Sequence, residues 1–251
     1  MQEGFETKSN YTNPNIQYLF SKNIHEYDIH DAGMNICKYY GLLDKKELDK
    51  LSHMSKDQRV VRLGNLQKKE EFRDKLAKGF SDIRKEFYEA NNLDINDIIS
   101  VKKDAIFTSK ECNATIFGPI EFVVKHVYTS FIRLKKPLEL YYNMNELDVK
   151  GIDNSVLKLH ENGILEFLNK YFRRIESGDI DDVFRLVNRE FSKYKGYKLP
   201  LEYYREFNSE SKYVEKDTGD KYKDYWEEDM FKLDISFNMN TIYVPLIQIL
   251  L

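Results

Sequence analysis

The sequence predicts an α+β protein, and three observations carry that reading. Between Asp97 and Ile152, short runs rich in β-branched and aromatic residues are punctuated by Gly118-Pro119 and Lys136-Pro137, the mark of strands joined by turns. Ahead of this block, Phe72, Leu76, Phe80, Ile83 and Phe87 recur at helical spacing. Behind it, Val156, Leu159, Ile164, Leu165, Leu168 and Phe172 do the same. A helix-flanked β core followed by a helical final third is an α+β arrangement.

Each element follows in order. Residues 1–23 are polar and aromatic and read as an arm or loop. Ile24 to Ile29 is a short strand, and Ala32 to Leu43 a helix, since Met34, Ile36, Cys37, Tyr40 and Leu43 fall near one face. Asp44 to Asn92 reads as two helices broken near Gly64-Asn65, the second long and ended by Asn91-Asn92. Two β pieces then flank Lys102-Lys103. Strands follow at Ala114 to Phe117, Phe122 to Leu134, Leu138 to Tyr142 and Glu146 to Ile152. A helix starts at Asn154. Another runs from about Ile180 to Lys193, with Asp179 as its N-cap. The tyrosine-rich segment beyond Gly196 reads as loop-bearing, and the apolar Val244 to Leu251 as a buried closing element or a partner contact.

Composition narrows the function classes. At 251 residues and 41% hydrophobic, the chain has ample material for a packed core of one large domain or two small ones. A net charge of -3 gives no global basic footprint, so nucleic-acid binding would need local basic surfaces. Two cysteines, Cys37 and Cys112, without CxxC spacing suggest neither zinc nor a disulfide framework, and a reducing compartment is the default. The start lacks a signal-peptide pattern. No apolar run approaches the roughly 18 residues that span a bilayer, so no membrane partner is expected. The five histidines show no metal-helix spacing, and no Walker-type glycine loop is present.

Two carboxylates stand out. Asp28 ends an apolar strand-like run just before a helix, where it can bind a hard cation through oxygen or simply cap the helix. Asp104 lies in a β-rich block between Val101 and Ile106-Phe107, where burial would be costly without a metal, a cation or solvent. Asp31 is either a third carboxylate or a helix cap. If Asp28 and Asp104 sit on adjacent strands, they can clamp two metal ions for phosphoryl transfer.

The two segments resemble motifs of family B DNA polymerases. Asp28-Ile29-His30-Asp31-Ala32-Gly33-Met34-Asn35 is similar to the family's Asp-x-x-Ser-Leu-Tyr-Pro-Ser, and Ser100-Val101-Lys102-Lys103-Asp104-Ala105-Ile106-Phe107 to its Tyr-Gly-Asp-Thr-Asp-Ser. Asp104 aligns with the metal-binding second aspartate, while Lys102 replaces the first. Lys56 to Gly64 keeps the Lys and Gly of the family's Lys-x-x-x-Asn-Ser-x-Tyr-Gly helix, without its Asn, Ser and Tyr. Lys125-His126-Val127-Tyr128 resembles the Lys-Lys-x-Tyr element, and Lys150-Gly151 the Lys-Gly element that leads into the thumb. Gly33 stands where the family has a bulky sugar-excluding aromatic. The same run is also similar to the Asp-x-x-x-Ser-Gly motif of single-subunit phage-type RNA polymerases.

The resemblance implies an antiparallel polymerase-like palm (residues 1–151) with short helical fingers at about 48–92, and a helical thumb (152–251). It implies that Asp28 and Asp104 are catalytic and hold two Mg²⁺ ions, with Mn²⁺ as a substitute. Lys56, Arg59 and Arg62 would meet the nucleoside triphosphate, Gly33 would admit ribonucleotides, and Lys125, Tyr128 and Lys150 would hold the primer-template. Each has a plainer reading: a solvated basic helix for Lys56, Arg59 and Arg62, an easy strand-to-helix turn for Gly33, an ordinary strand for Lys125 and Tyr128. With no exonuclease region ahead of Asp28, the enzyme would lack proofreading and would work with a further polymerase or processivity subunit. Such economy fits a phage or mobile-element replication or transcription protein, cytoplasmic, and in host cytoplasm if it is a phage protein. The rival expectation is a catalytically silent palm-derived subunit that binds nucleic acid or a replication or transcription partner. Lys102-Lys103 favours it by offering ammonium groups in place of a metal. A metal-dependent nuclease would use the same carboxylates but leaves Lys56 and Lys125 unexplained.

Overall fold

The computed structural model describes residues 8–134, 138–151 and 154–195, and for 154–165, 190, 191 and 193–195 only the backbone. In chain order the elements are β1 (Asn10–Thr12), β2 (Tyr18–Leu19), β3 (Ile24–Ile29), α1 (Ala32–Tyr39), α2 (Lys45–Ser52), α3 (Lys56–Leu66), α4 (Glu70–Ala90), β4 (Ile98–Lys102), β5 (Ala105–Thr108), β6 (Ile116–Phe117), β7 (Ile120–Tyr128), β8 (Ser130–Arg133), β9 (Glu139–Asn143), β10 (Glu146–Lys150), α5 (Asn154–Ser177) and α6 (Ile180–Lys195). The α+β class is as expected. The tyrosine-rich tail and the apolar Val244 to Leu251 lie outside the described residues, as does all of the expected thumb beyond residue 195.

Two compact units emerge, each with its own sheet. The first comprises residues 1–16 and 22–128, and the second residues 17–21 and 129–251. The two units meet at Tyr128/Thr129, where Thr129 interrupts what the sequence read as one strand from Phe122 to Leu134. In the first unit an antiparallel sheet runs in the order β1-β4-β5-β3-β7-β6. Alternation along β3 sends Tyr27 and Ile29 into a core shared with Ile36, Leu63, Leu76, Ile83 and Phe87 of the helices. It sends Glu26 and Asp28 to the opposite face. In the second unit the order is β10-β9-β8-β2, and Tyr142 stacks on Phe172 of α5 with centroids 4.7 Å apart.

The helical insertion between β3 and β4 differs from expectation in its breaks. There are three helices after α1, not two. Ser55 starts α3 with a full capping box, its hydroxyl accepting from Gln58 N while Gln58 Oε1 accepts from Ser55 N. Gly64, the expected break, lies inside α3 facing open space, where a missing side chain costs no packing. Helix α1 stops at Tyr39 because Gly41 turns left-handed at φ 61°. Two strands fall in the expected N-terminal arm, but β1 and β2 are too short to show alternation. Asp179 does cap α6, its Oδ1 accepting from Asp182 N at 2.8 Å.

Candidate active site

Strand pairing brings Asp28 and Asp104 together. Strands β4 and β5 form a hairpin in which Lys102 pairs with Ala105, leaving Lys103-Asp104 as the connecting turn. Strand β5 runs antiparallel to β3 with Ala105 opposite Asp28. Asp104 thus stands one residue from the partner of Asp28. The two charges interact: burial first, and then the Asp28 carboxylate, push the Asp104 carboxyl above the ordinary range. Its own backbone N–H and the cations of Lys103 and Lys125 pull the other way.

The turn that presents Asp104 is strained and braced. Lys103 sits in the left-handed region at φ 58°, which disfavours a residue with a Cβ. Lys103 N donates to Ser9 O at 2.6 Å. Arg84 of α4, only 1% exposed, donates from Nη1 to Lys103 O at 3.1 Å. Burial holds the Arg84 guanidinium below its usual range, so a side chain costly to bury is spent on the backbone beside Asp104. Sequence reasoning missed Arg84, which reads only as one more charge on an amphipathic helix.

A third cation and a third carboxylate complete the cluster. Lys125 Nζ lies 3.7 Å from Asp28 Oδ2 and 4.0 Å from Glu26 Oε1. Glu26 is 1% exposed, and its Oε2 accepts the Tyr128 hydroxyl at 3.1 Å. Glu26 was also missed, although period-two alternation puts it on the face of Asp28. A bulge between Glu26 and Tyr27 shifts the β3–β7 register, pairing Glu26 with His126 and Tyr27 with Val124. Lys125 is the residue skipped.

The other expected site residues are placed as follows. Tyr128 is fully buried, its ring stacked on His126, and its hydroxyl is given to Glu26. Lys56 is exposed at the start of α3. Arg59 pairs with Asp31 at 2.6 Å and donates to Met54 O at 2.7 Å. Arg62 donates to Glu47 at 2.7 Å. These two arginines tie helices together. Asp31 makes no side-chain cap for α1 and holds Arg59 instead. Gly33 packs under α3, where a Cβ would stand 2.8 Å from Leu63 Cδ1. Lys102 is turned to Thr12, its Nζ donating to Oγ1 at 3.1 Å. Lys150, in the second unit, pairs with Asp148 at 2.6 Å.

The sequence pattern of the family described as "Bacteriophage PBS1 gene 130 protein" matches residues 1–251. The chain belongs to that family. That membership supports the phage origin expected from the sequence. A comparison with curated proteins finds no match. Among the described residues no helix is long and apolar enough to cross a membrane.

The donor chemistry suits a divalent cation in a particular way. Asp28 and Asp104 offer hard oxygens, and their mutual repulsion is what a cation would relieve. Among the described residues no group of three or more His, Cys, Asp or Glu could hold an ion. Magnesium commonly takes one or two carboxylates and completes its shell with water and substrate phosphates. A pair of aspartates fits that habit and does not fit a closed structural metal site.

Proposed function

We propose that this protein is a palm-type nucleotidyltransferase that extends a primer on a template. The observation that carries the reading is the placement of Asp28 on the central strand β3 beside Asp104 in the β4–β5 turn, with the helical insertion α1–α4 between them in sequence. Asp28 and Asp104 would hold Mg²⁺, which supplies charge neutralisation for the attacking 3′-hydroxyl and the departing pyrophosphate. Arg84 keeps Asp104 in place through the Lys103 carbonyl. Glu26 and Lys125 set the charge balance around Asp28. Lys56, exposed, is the cation of α3 left to meet a triphosphate. Acceptance of ribonucleotides rests on Gly33 by resemblance alone, since its position has a packing reason in Leu63.

The test is primer extension by the purified chain with Mg²⁺ or Mn²⁺, on DNA and RNA templates, with each nucleotide set. Wild type should extend, and Asp28→Asn and Asp104→Asn should not. Extension by either variant at the wild-type rate rules the site out.

The second reading is a silent palm-derived subunit that binds nucleic acid or a partner. Lys102 no longer supports it, since its ammonium is turned to Thr12, but Lys103 acts as a cation on Asp104 and the Lys125 ammonium lies beside Asp28. Duplex binding without synthesis, unchanged in Asp28→Asn, would favour it.

A further inference from the structure

We infer that Lys125 is a displaceable internal counter-ion: its ammonium holds the place beside Asp28 until a divalent cation arrives, and then retreats to Glu26. The inference rests on the metal-binding reading of Asp28 and Asp104. Two neighbouring carboxylates need a positive charge close by, and Lys125 supplies one at 3.7 Å from Asp28. A divalent ion bound to Asp28 would sit about 2.1 Å from its oxygen. An ammonium at its present distance would then repel that ion, so Lys125 has to move.

It has both the freedom and a destination. The Lys125 side chain is 50% exposed, on a long flexible stem released by the β3–β7 bulge. Its ammonium is already 4.0 Å from Glu26 Oε1. Glu26 is fixed by the Tyr128 hydroxyl and buried at 1% exposure, where a carboxylate needs a cation. A short swing toward Glu26 would make that pair closer while freeing Asp28. The arrangement keeps the aspartates balanced without metal and sets a threshold for loading it. Glu26 is then a positioning residue, acting on the metal site only through Lys125.

The experiment measures Mn²⁺ binding to the full chain by the loss of the free-ion electron paramagnetic resonance signal. Lys125→Met should tighten Mn²⁺ roughly five- to thirtyfold, the scale of one unit charge a few ångströms from the ion in a watery cleft. Glu26→Gln should weaken it, because Lys125 loses its second berth. In Lys125→Met the further change Glu26→Gln should shift affinity by less than about threefold, a coupling that a merely structural Glu26 would not show. Should Glu26→Gln not fold, the Lys125→Met comparison decides alone. Unchanged or weaker binding by Lys125→Met overturns the inference while leaving the metal site standing. Absence of Mn²⁺ binding in both wild type and Lys125→Met overturns the inference together with the metal site proposed above.

Discussion

Replacing Gly33 with alanine tests how tightly α1 is pressed against α3. The new Cβ would lie 2.8 Å from Leu63 Cδ1, against an optimal carbon–carbon separation of about 3.5–4.0 Å. Leu63 is 7% exposed and part of the core, so it cannot simply swing into water. Overpacking of this kind costs about 1–3 kcal/mol. Alanine returns roughly 1 kcal/mol through its better helix propensity. The single variant should therefore lose about 0–2 kcal/mol. Leu63→Ala alone should lose about 2–5 kcal/mol, as a truncated core leucine does. Together the two changes should lose less than their sum, by about 1–3 kcal/mol, because the collision is gone and the methyl group introduced by Gly33→Ala partly fills the space. Urea unfolding followed by circular dichroism gives all three numbers. Additivity within about 0.5 kcal/mol would refute the close approach. The same numbers bear on sugar selectivity. A tyrosine at position 33 would collide far more severely, so the ribonucleotide question is better asked with Gly33→Ala, comparing rNTP with dNTP incorporation.

Other consequences are testable in the same way. Because the Asp104 carboxyl is raised by burial and by Asp28, its contribution to stability is full below the unfolded value of about 3.9 and is lost as pH rises through the higher folded value. Without metal at pH 7, Asp104→Asn should therefore stabilise the fold, and the advantage should fade toward about pH 4. Thermal unfolding in chelator across that range checks it, and an asparagine variant less stable at neutral pH would contradict the charge argument. Arg84→Ala should cost roughly 2–4 kcal/mol, from a buried cavity and the donor lost to Lys103 O; a loss under about 0.5 kcal/mol in urea would mean the guanidinium does not brace the turn. Gly79→Ala should also destabilise, by about 0–2 kcal/mol once the helix propensity regained by alanine is taken off, since its Cβ would lie 2.7 Å from Ile36 Cγ2 and 3.1 Å from Tyr40 Cδ2. Chemical denaturation would detect it, and a gain in stability would speak against that helix contact.

What the sequence revealed depended on the range of each interaction. The strand Ile24 to Ile29 and the two β pieces around Lys102-Lys103 were legible because short runs rich in apolar and β-branched residues are a local signal. The Asp179 cap was legible for the same reason. The break at Ser55 has a local spelling, since Ser-x-x-Gln is a capping-box pattern, whereas Gly64 lies inside α3 and breaks nothing. Glu26 was overlooked although it is two residues from Asp28 on the same face. The place of Lys125 could not be read, because a bulge decides which β7 residue reaches Asp28. Arg84 was equally hidden, since its partner is a backbone carbonyl supplied by tertiary packing.

The short strand β2 has a consequence for how the chain comes to be folded. Tyr18 and Leu19 leave the first unit to pair with Ile132 and Phe131, forming the outer strand of the second sheet. During synthesis that segment emerges early and must wait until β8 has been made. Any fragment that begins at Thr129 would present β8 with a bare row of amide and carbonyl groups, ready to join another chain. The second unit therefore cannot be cut free by trimming from one end. Producing it alone calls for residues 17–21 to be tethered back on, by a linker or by circular permutation.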